Sequence, residues 1–443
     1  MNHDKRVAFH TLGCKVNFYE TDKMSEKFQK AGYKVVDFRE CADVYVINTC
    51  TVTNMADRKS RKMLQRARRT NAASLVVAVG CYAQAVGSDM LTELGIDLVI
   101  GNEEKEQLVS MVSEKLKIDY DSANFVNHIS KSERTRANIM VQTGCNQFCT
   151  YCIIPYVRGK LKSRQIDDVT CEVQELASNG YKEIVITGIH LSSFGGDSEE
   201  GSSFVQLRGR PLLALLKEIS KIQGIERIRL GSLEPRIITE SFLKELSSIK
   251  QVCPHFHLSL QSGCNRTLQR MGRKYSTEEY LDKCSLIREY YNNPALTTDI
   301  IVGFPGESEE DFEESKAFAE KVGFADIHVF KYSIRNGTKA ADMPEQVLEQ
   351  SKTKRSNVLL QVAENLYKNY QNIFMNHESN VLWEENIIVD GKQYITGHNE
   401  RYIKYMVQID SQEQAACMVN TTNLVLADTK GKENTLIGYL LKN

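Results

Sequence analysis

Twice along this chain, apolar runs of strand length alternate with amphipathic stretches of helix length, and that alternation limits the fold more than any other feature. Val7–Gly13 reads as a strand, Asn17–Lys30 as a helix stopped at Gly32, and Tyr33–Phe38 and Val44–Asn48 as further strands. Met55–Arg69 follows as a helix, and Leu75–Val79 and Leu98–Ile100 as buried strands. Residues 1–120 thus carry the βαβ rhythm of an open parallel sheet. The polar stretch 121–137 predicts a linker. From residue 138 the alternation resumes, with strands at Asn138–Thr143, Glu183–His190, Arg227–Leu233, His255–Gln261, Thr297–Gly303 and Asp326–Ser333. Helices are expected between them and at Glu345–Phe374. Six β/α units are two short of a full barrel. They predict a partial (β/α)6 barrel over 138–375, open on one side, with a flat doubly wound sheet as the alternative. Beyond Asn376 short strands separated by Asp390-Gly391, Gly397-His398-Asn399 and Lys430-Gly431 predict a small antiparallel β-barrel over 376–443. The fold class is α/β with this all-β appendage.

Composition narrows the setting. With 443 residues, 42% of them hydrophobic, the chain can bury several cores, which excludes disorder over most of its length. Lys and Arg total 56 against 57 Asp and Glu, so net charge says nothing about partners and local charge must be read instead. No apolar run approaches the roughly 18 residues of a membrane span, and the polar start MNHDKRVAFH is unlike a secretory signal. A soluble cytoplasmic protein without a membrane partner is expected. Twelve cysteines in a reducing compartment point to metal ligation or catalysis rather than disulfides.

Six of the cysteines fall into two groups. Cys14, Cys50 and Cys81 each follow a strand of the first sheet, so all three lie at the edge outside the strand carboxyl ends, where such sheets hold ligands. A shared site is expected; three buried apolar cysteines are the alternative. Cys145, Cys149 and Cys152 form C-x₃-C-x₂-C directly after the first strand of the second segment. Thiolates are the usual ligands of iron–sulfur clusters, and three on a four-iron cluster leave one iron open. Zinc would want a fourth ligand, which His190 or a distant cysteine could supply. Cys41, Cys171, Cys253, Cys264, Cys284 and Cys417 lack ligand-like grouping and read as packing or surface thiols. Of His255 and His257 on a barrel strand, one is expected to point inward and to orient polar neighbours.

Local charge is informative. Arg58, Lys59, Arg61, Lys62, Arg66, Arg68 and Arg69 crowd the helix after Cys50, and Arg158 and Lys160 follow Cys152. Two basic patches beside two metal sites suggest an RNA backbone laid across the site; a solvated helix face is the plainer reading of the first.

C-x₃-C-x₂-C after the first strand of a β/α barrel resembles the radical S-adenosylmethionine (SAM) enzymes. The resemblance implies that SAM chelates the open iron and is cleaved to a 5′-deoxyadenosyl radical. It also gives the strand-end segments a role in holding SAM: Thr187, Gly188 and His190 on the second strand, Ser259 and Gln261 on the fourth, and Gly303, Gly306 and Glu307 on the fifth. Three N-terminal cysteines, this barrel and a small C-terminal barrel together resemble the methylthiotransferases over nearly the whole chain. That resemblance implies a second, auxiliary 4Fe–4S cluster on Cys14, Cys50 and Cys81, and a TRAM-like RNA-binding C-terminal module. Thr11-Leu12-Gly13-Cys14-Lys15-Val16-Asn17, Thr187-Gly188-Ile189-His190-Leu191 and Leu230-Gly231-Ser232-Leu233-Glu234-Pro235 look like the branch acting on threonylcarbamoyladenosine in tRNA.

The implied reaction places methylthio on carbon 2 of that base at tRNA position 37, in the anticodon loop, with a protein reductant and a sulfur donor as further partners. A threonylcarbamoyl carboxylate needs a cation or several donors, for which Arg229, Arg236 and Lys331 are candidates. Other readings remain open: the same chemistry on isopentenyladenosine, an RNA-binding iron–sulfur protein without catalysis, or a radical SAM RNA methylase that does not need Cys14, Cys50 and Cys81.

Overall fold

A computed structural model describes residues 5–117, 135–197 and 203–441. The expected linker at 121–137 lies outside them up to residue 134. The described chain divides into two compact units. One gathers residues 5–117, 143–161 and 333–342, and the other 135–142, 162–197, 203–332 and 343–441.

In the first unit, strands β1 (Arg6–Thr11), β2 (Lys34–Val36), β3 (Val44–Thr49), β4 (Leu75–Gly80) and β5 (Leu98–Ile100) form one sheet in the order β2-β1-β3-β4-β5. Each pair is parallel. Every residue of β3 and β4 is buried, because apolar layers cover both faces of the sheet. Met24 and Phe28 of helix α1 (Lys15–Lys30) pack on one face with Leu108 and Val112. Leu64 and Ala67 of α2 (Asn54–Thr70) pack on the other with Tyr82 and Ala83 of α3 (Cys81–Val86). In this strand order the chain reverses direction of winding between β1 and β3, and ligands bind outside the carboxyl ends at such a switch point.

In the second unit, β6 (Arg136–Thr143), β7 (Lys162–Ser163), β8 (Glu183–Gly188) and β9 (Arg227–Leu230) form a sheet in the order β7-β6-β8-β9. Strands β10 (His255–His257), β11 (Ala295–Val302) and β12 (Asp326–Lys331) form another. Parallel bridges Ile228↔Val252 and Leu233↔Leu258 continue β9 into β10, so six parallel strands run side by side as expected of the partial barrel. Helices Ile166–Ser178, Arg210–Ser220, Glu240–Leu246, Thr277–Tyr290, Glu309–Val322 and Glu349–Asn372 alternate with or follow these strands. Their apolar faces share one large core with the strands.

Strands β13 (Glu378–Val389), β14 (Lys392–Asn399), β15 (Lys404–Gln408), β16 (Thr422–Lys430) and β17 (Leu436–Leu440) close a small barrel in the order β13-β14-β15-β17-β16. Its core holds Val381, Trp383, Ile395, Tyr405, Val425 and Leu436. The structure corrects several details here. The barrel is not wholly antiparallel: β15 and β17 pair in parallel, and that pair closes it. Where the sequence suggests two strands, Asn380–Glu384 and Asn386–Val389, the structure has one continuous strand with a shift of register between Trp383 and Glu385. Gly397-His398-Asn399 belongs to β14 rather than to a turn. A strand, Leu436–Leu440, and a helix, Gln412–Met418, were not anticipated.

Arg229 corrects a functional expectation. It was expected at the third-strand rim, yet its side chain is buried against Glu183, the first residue of β8, with Nε 2.8 Å from Oε1. Its remaining donors reach the Glu400 and Asn399 carbonyls, and Arg227 donates to those of His398 and Asn380. The two arginines thus satisfy backbone of the C-terminal barrel, with Glu183 beside both and Glu400 3.9 Å from Arg227 as their counter-charges. Burial opposes the Glu183 carboxylate, but Arg229 next to it holds its pKa below the ordinary value. Removing one member strands the others, so Glu183→Ala should cost about 3–5 kcal/mol, read as a lowered thermal midpoint. A loss below about 1 kcal/mol would show that this cluster does not hold the two barrels together.

Candidate functional site

The switch point of the first sheet is where its cysteines gather. β3 and β4 run in register to Thr49↔Gly80, so Cys50 and Cys81 leave the sheet side by side. Gly13 has a φ of +105°, and a Cβ there would lie 2.9 Å from Cys50 Cβ. The backbone leading to Cys14 is therefore drawn against Cys50, which a side chain at position 13 would prevent. Cys50 and Cys81 are buried and Cys14 is exposed at the mouth. Burial pushes the Cys50 thiol up to about 11, and the neighbouring Cys81 and Cys14 sulfurs add to that. Three close sulfurs, two of them dry, suit a metal cluster whose charge would offset deprotonation.

A buried polar network braces this triplet. Asn17 donates to the Leu12 and Thr49 carbonyls, at 2.7 and 3.1 Å, and so ties the Cys14 loop to the Cys50 loop. Ser60 of α2 bonds both the amide and the carbonyl of Cys50. Arg158 is the largest departure from expectation. Placed by sequence in an RNA-binding patch, it is buried with Nε 3.2 Å from Cys81 Sγ. Its Nη groups reach Glu20 at 2.8 and 3.1 Å and Asn17 at 2.6 Å. Lys105 is a second buried cation on Glu20, at 2.5 Å. Burial opposes the Glu20 charge, but Lys105 and Arg158 hold its pKa at about 2. Burial lowers the Lys105 pKa and Glu20 opposes that shift, while Arg158 is the guanidinium that sits beside the Cys81 sulfur.

The second triplet lies in the same compact unit. Cys145, Cys149 and Cys152 are half-buried on the loop after β6, which continues into the helix Ile154–Arg158. Arg158 at the end of that helix carries the contact to Cys81. Asn102, near Cys81 Sγ at 3.8 Å, donates to the Val157 carbonyl at 2.8 Å. Segment 333–342 touches both cysteine loops: Arg335 donates to the Thr51 carbonyl and to Asp57, and the Ala340 amide donates to the Thr150 carbonyl. Phe148 and Tyr156 leave the loop as exposed aromatic rings in edge contact, with centroids 5.9 Å apart. Sequence reading missed Arg335 and Asn102 as supports.

The strand-end residues of the second unit divide into two kinds. Thr187 and Gly188 end β8, and the Gln142 amide oxygen accepts from the His190 backbone. His190 Nδ1 meets Ser193 Oγ at 2.6 Å, and its buried Nε2 has no partner among the described residues. Burial, with Arg273 and Arg236, lowers His190 to about 3, so it is neutral. Gln261 has a left-handed φ of +75°, unusual for a non-glycine residue, at a bridge to Ile300. The Ser259 carbonyl accepts from Tyr275 at 2.5 Å. Gly303, Gly306 and Glu307 form the turn after β11. A Cβ on Gly303 would meet Lys352, and one on Gly306 would meet the Arg270 guanidinium. Glu307 accepts from the Gly303 amide and from Arg355, at 2.8 and 2.7 Å.

Of the α2 cations, Arg58, Lys59, Arg61, Lys62, Arg66 and Arg69 are exposed, as is Lys160. Arg61 reaches the Tyr82 hydroxyl, and Arg68 is spent on Asp97 and on the Ser74 and Gly95 carbonyls. The other two carboxylate candidates also have partners. Arg236 pairs with Glu234 at 2.6 Å, and Lys331 turns to Glu349 and Thr353 on a covering helix.

A cysteine triplet after the first strand of a six-stranded partial barrel defines a radical SAM protein, and comparison with known proteins agrees. Residues 139–319 match the radical SAM superfamily, and residues 6–101 match an uncharacterised protein family, UPF0004. The solved structure of TsrM, a radical SAM methyltransferase from Kitasatospora setae, shares the fold with a TM-score of 0.55 at 16% identity, over 76% of this chain and 77% of its own. The threonylcarbamoyladenosine tRNA methylthiotransferase MtaB of Bacillus subtilis is 38% identical, covering 90% of this chain and 89% of the relative. That of Aquifex aeolicus is 41% identical over 80% and 87%. A tRNA-2-methylthio-N(6)-dimethylallyladenosine synthase of a Thermoanaerobacter species is 36% identical over 82% and 79%. The chain belongs to the tRNA methylthiotransferase family.

Radical SAM proteins of this family use SAM and two 4Fe–4S clusters, and the donor sets fit: two thiol triplets, each leaving one iron of a four-iron cluster open, and an orphaned buried nitrogen on His190. Reconstituted protein should carry about eight irons, and replacing Cys14, Cys50 and Cys81 by Ala should remove about half while the remaining cluster stays reducible. Unchanged iron in that variant would remove the second site.

Proposed function

We propose that this chain is a methylthiotransferase acting on threonylcarbamoyladenosine at tRNA position 37. Its similarity to relatives named for that substrate, at 35–41% identity, supports the branch, together with Lys15-Val16-Asn17 and Gly188-Ile189-His190-Leu191. Relatives named for dimethylallyladenosine reach 35–36%, so identity alone separates the branches weakly and the motifs carry weight.

In this reading Cys145, Cys149 and Cys152 hold the cluster that binds SAM, and Cys14, Cys50 and Cys81 hold the auxiliary cluster. When bound, these groups supply reductive SAM cleavage and a site for the sulfur that is transferred. The chain's own residues orient and shield them. Asn17, Ser60 and Arg158 fix the cysteine loops, and burial of Cys50 and Cys81 keeps water from two of three sulfurs. Neutral His190 offers Nε2 to the SAM amino group, with Thr187, Gly188, Ser259 and Gln261 lining the same strand ends. Arg58, Lys59, Arg61, Lys62, Arg66 and Arg69 on α2, with Lys160, take the tRNA backbone, and the C-terminal barrel adds RNA grip. A tRNA-modifying enzyme of this kind works in the cytoplasm, fed by a protein reductant and a sulfur donor; none of the described helices is long and apolar enough to cross a membrane.

Purified enzyme given two tRNA pools, one bearing each modification, should form methylthio product from the threonylcarbamoyl pool, with KM raised when Arg66 and Arg69 are neutralised. Turnover confined to the isopentenyl pool would overturn the branch and leave the reaction class standing.

A further inference from the structure

The face of β10–β12 turned away from the helices carries a cluster that the roles above do not use. Along these strands alternate residues divide between two faces. Phe256, Leu296, Ile300 and Ile327 join the core beneath the helices. His257, Thr297, Asp299 and His328 point the other way, with His257 opposite Thr297 and Asp299 opposite His328. His255, two residues before His257, shares that face, so the expectation that only one of the two points inward does not hold. Side-chain ligand atoms of His257, Asp299 and His328 all lie within 4.8 Å of one another. His257 is fully engaged: Nδ1 is 3.0 Å from Thr297 Oγ1 and Nε2 is 3.3 Å from Asp299 Oδ2. His328 is exposed and stacks on the His257 ring, with centroids 5.7 Å apart, and makes no hydrogen bond to another described residue. Two residues on, Phe330 is on the same face and 44% exposed.

An uncovered aromatic ring beside an imidazole with free donor capacity is poor surface and good base-binding chemistry. Single-stranded RNA bases are held by stacking on aromatic side chains and by hydrogen bonds at their edges. A carboxylate carried on such a base needs donors once water is displaced. The cations that sequence reading offered are spent: Arg229 on Glu183, Arg236 on Glu234 and Lys331 on Glu349. Asp299 faces His257, which leaves His328 as the outermost member and a donor in either ring state.

We infer that this face receives the target nucleoside, with Phe330 stacking on the adenine ring and His328 donating a hydrogen bond to the carboxylate of its N6 substituent. The inference rests on the threonylcarbamoyladenosine reading above. His328 is then the specificity residue that separates a carboxylate-bearing substituent from an apolar one, and His257, held by Thr297 and Asp299, positions it.

The test measures binding of full-length protein to anticodon stem-loop RNAs carrying threonylcarbamoyladenosine, isopentenyladenosine or plain adenosine. Wild type should prefer the threonylcarbamoyl RNA. His328→Ala should cut that preference by roughly tenfold, the size of one hydrogen bond to a charged group, with little change for plain adenosine. His328→Gln keeps a donor and should restore part of it. Phe330→Ala should weaken all three RNAs together, because stacking ignores the N6 substituent. Preference retained in His328→Ala would overturn the inference alone. Absence of preference in wild type would overturn the substrate reading beneath it. Loss of preference on adding EDTA would place a metal ion on His257, Asp299 and His328 and overturn the direct contact.

Discussion

One buried guanidinium organises the first compact unit. Arg158 would cost several kcal/mol to desolvate alone, so it must be surrounded by acceptors. Those acceptors are Cys81 on the edge of the sheet, Glu20 on α1 and Asn17, which itself ties the Cys14 and Cys50 loops together. Because Arg158 ends the helix that begins two residues after Cys152, satisfying its charge fixes the course of one cysteine loop by the position of another. Hydrogen bonds to sulfur and local charge are also among the levers that set iron–sulfur potentials. The same contacts that hold the loops thus bear on the chemistry they carry.

Much of the architecture is legible in the sequence because two periodicities rarely mislead when they alternate. The continuous apolar runs Val44–Asn48 and Leu75–Val79 read as strands, and the structure covers both on both faces. The six barrel strands and their helices emerge within a few residues of their expected positions. The C-terminal barrel is less legible. Its strands are short and their partners distant in sequence, so local pattern cannot show that β15 and β17 pair in parallel, nor that a register shift at Trp383 lets one strand run on. Turn-forming residues such as Gly397-His398-Asn399 sit inside a strand because cross-strand pairing outweighs their local preference.

The site divides along the same line. Both cysteine triplets could be found, because spacing after strands is local information. Long-range charge pairing could not. Arg158 looked like one more cation behind a metal loop, although its apolar neighbours Ile153, Ile154 and Val157 were a sign of burial. Arg229 looked like a rim residue, yet its strand position only fixes a face, and Glu183 on the neighbouring strand, 46 residues away in the chain, decides what that face meets. His328 and Phe330 gave no signal at all, since an exposed face is defined by what fails to cover it in three dimensions.

The most direct measurement of what this chain does is nucleoside mass spectrometry of total tRNA from cells with and without it. Loss of the 2-methylthio form of threonylcarbamoyladenosine, with the unmethylthiolated nucleoside accumulating in its place, is the expected result. An unchanged level of that nucleoside, or loss of the isopentenyladenosine product instead, would contradict it.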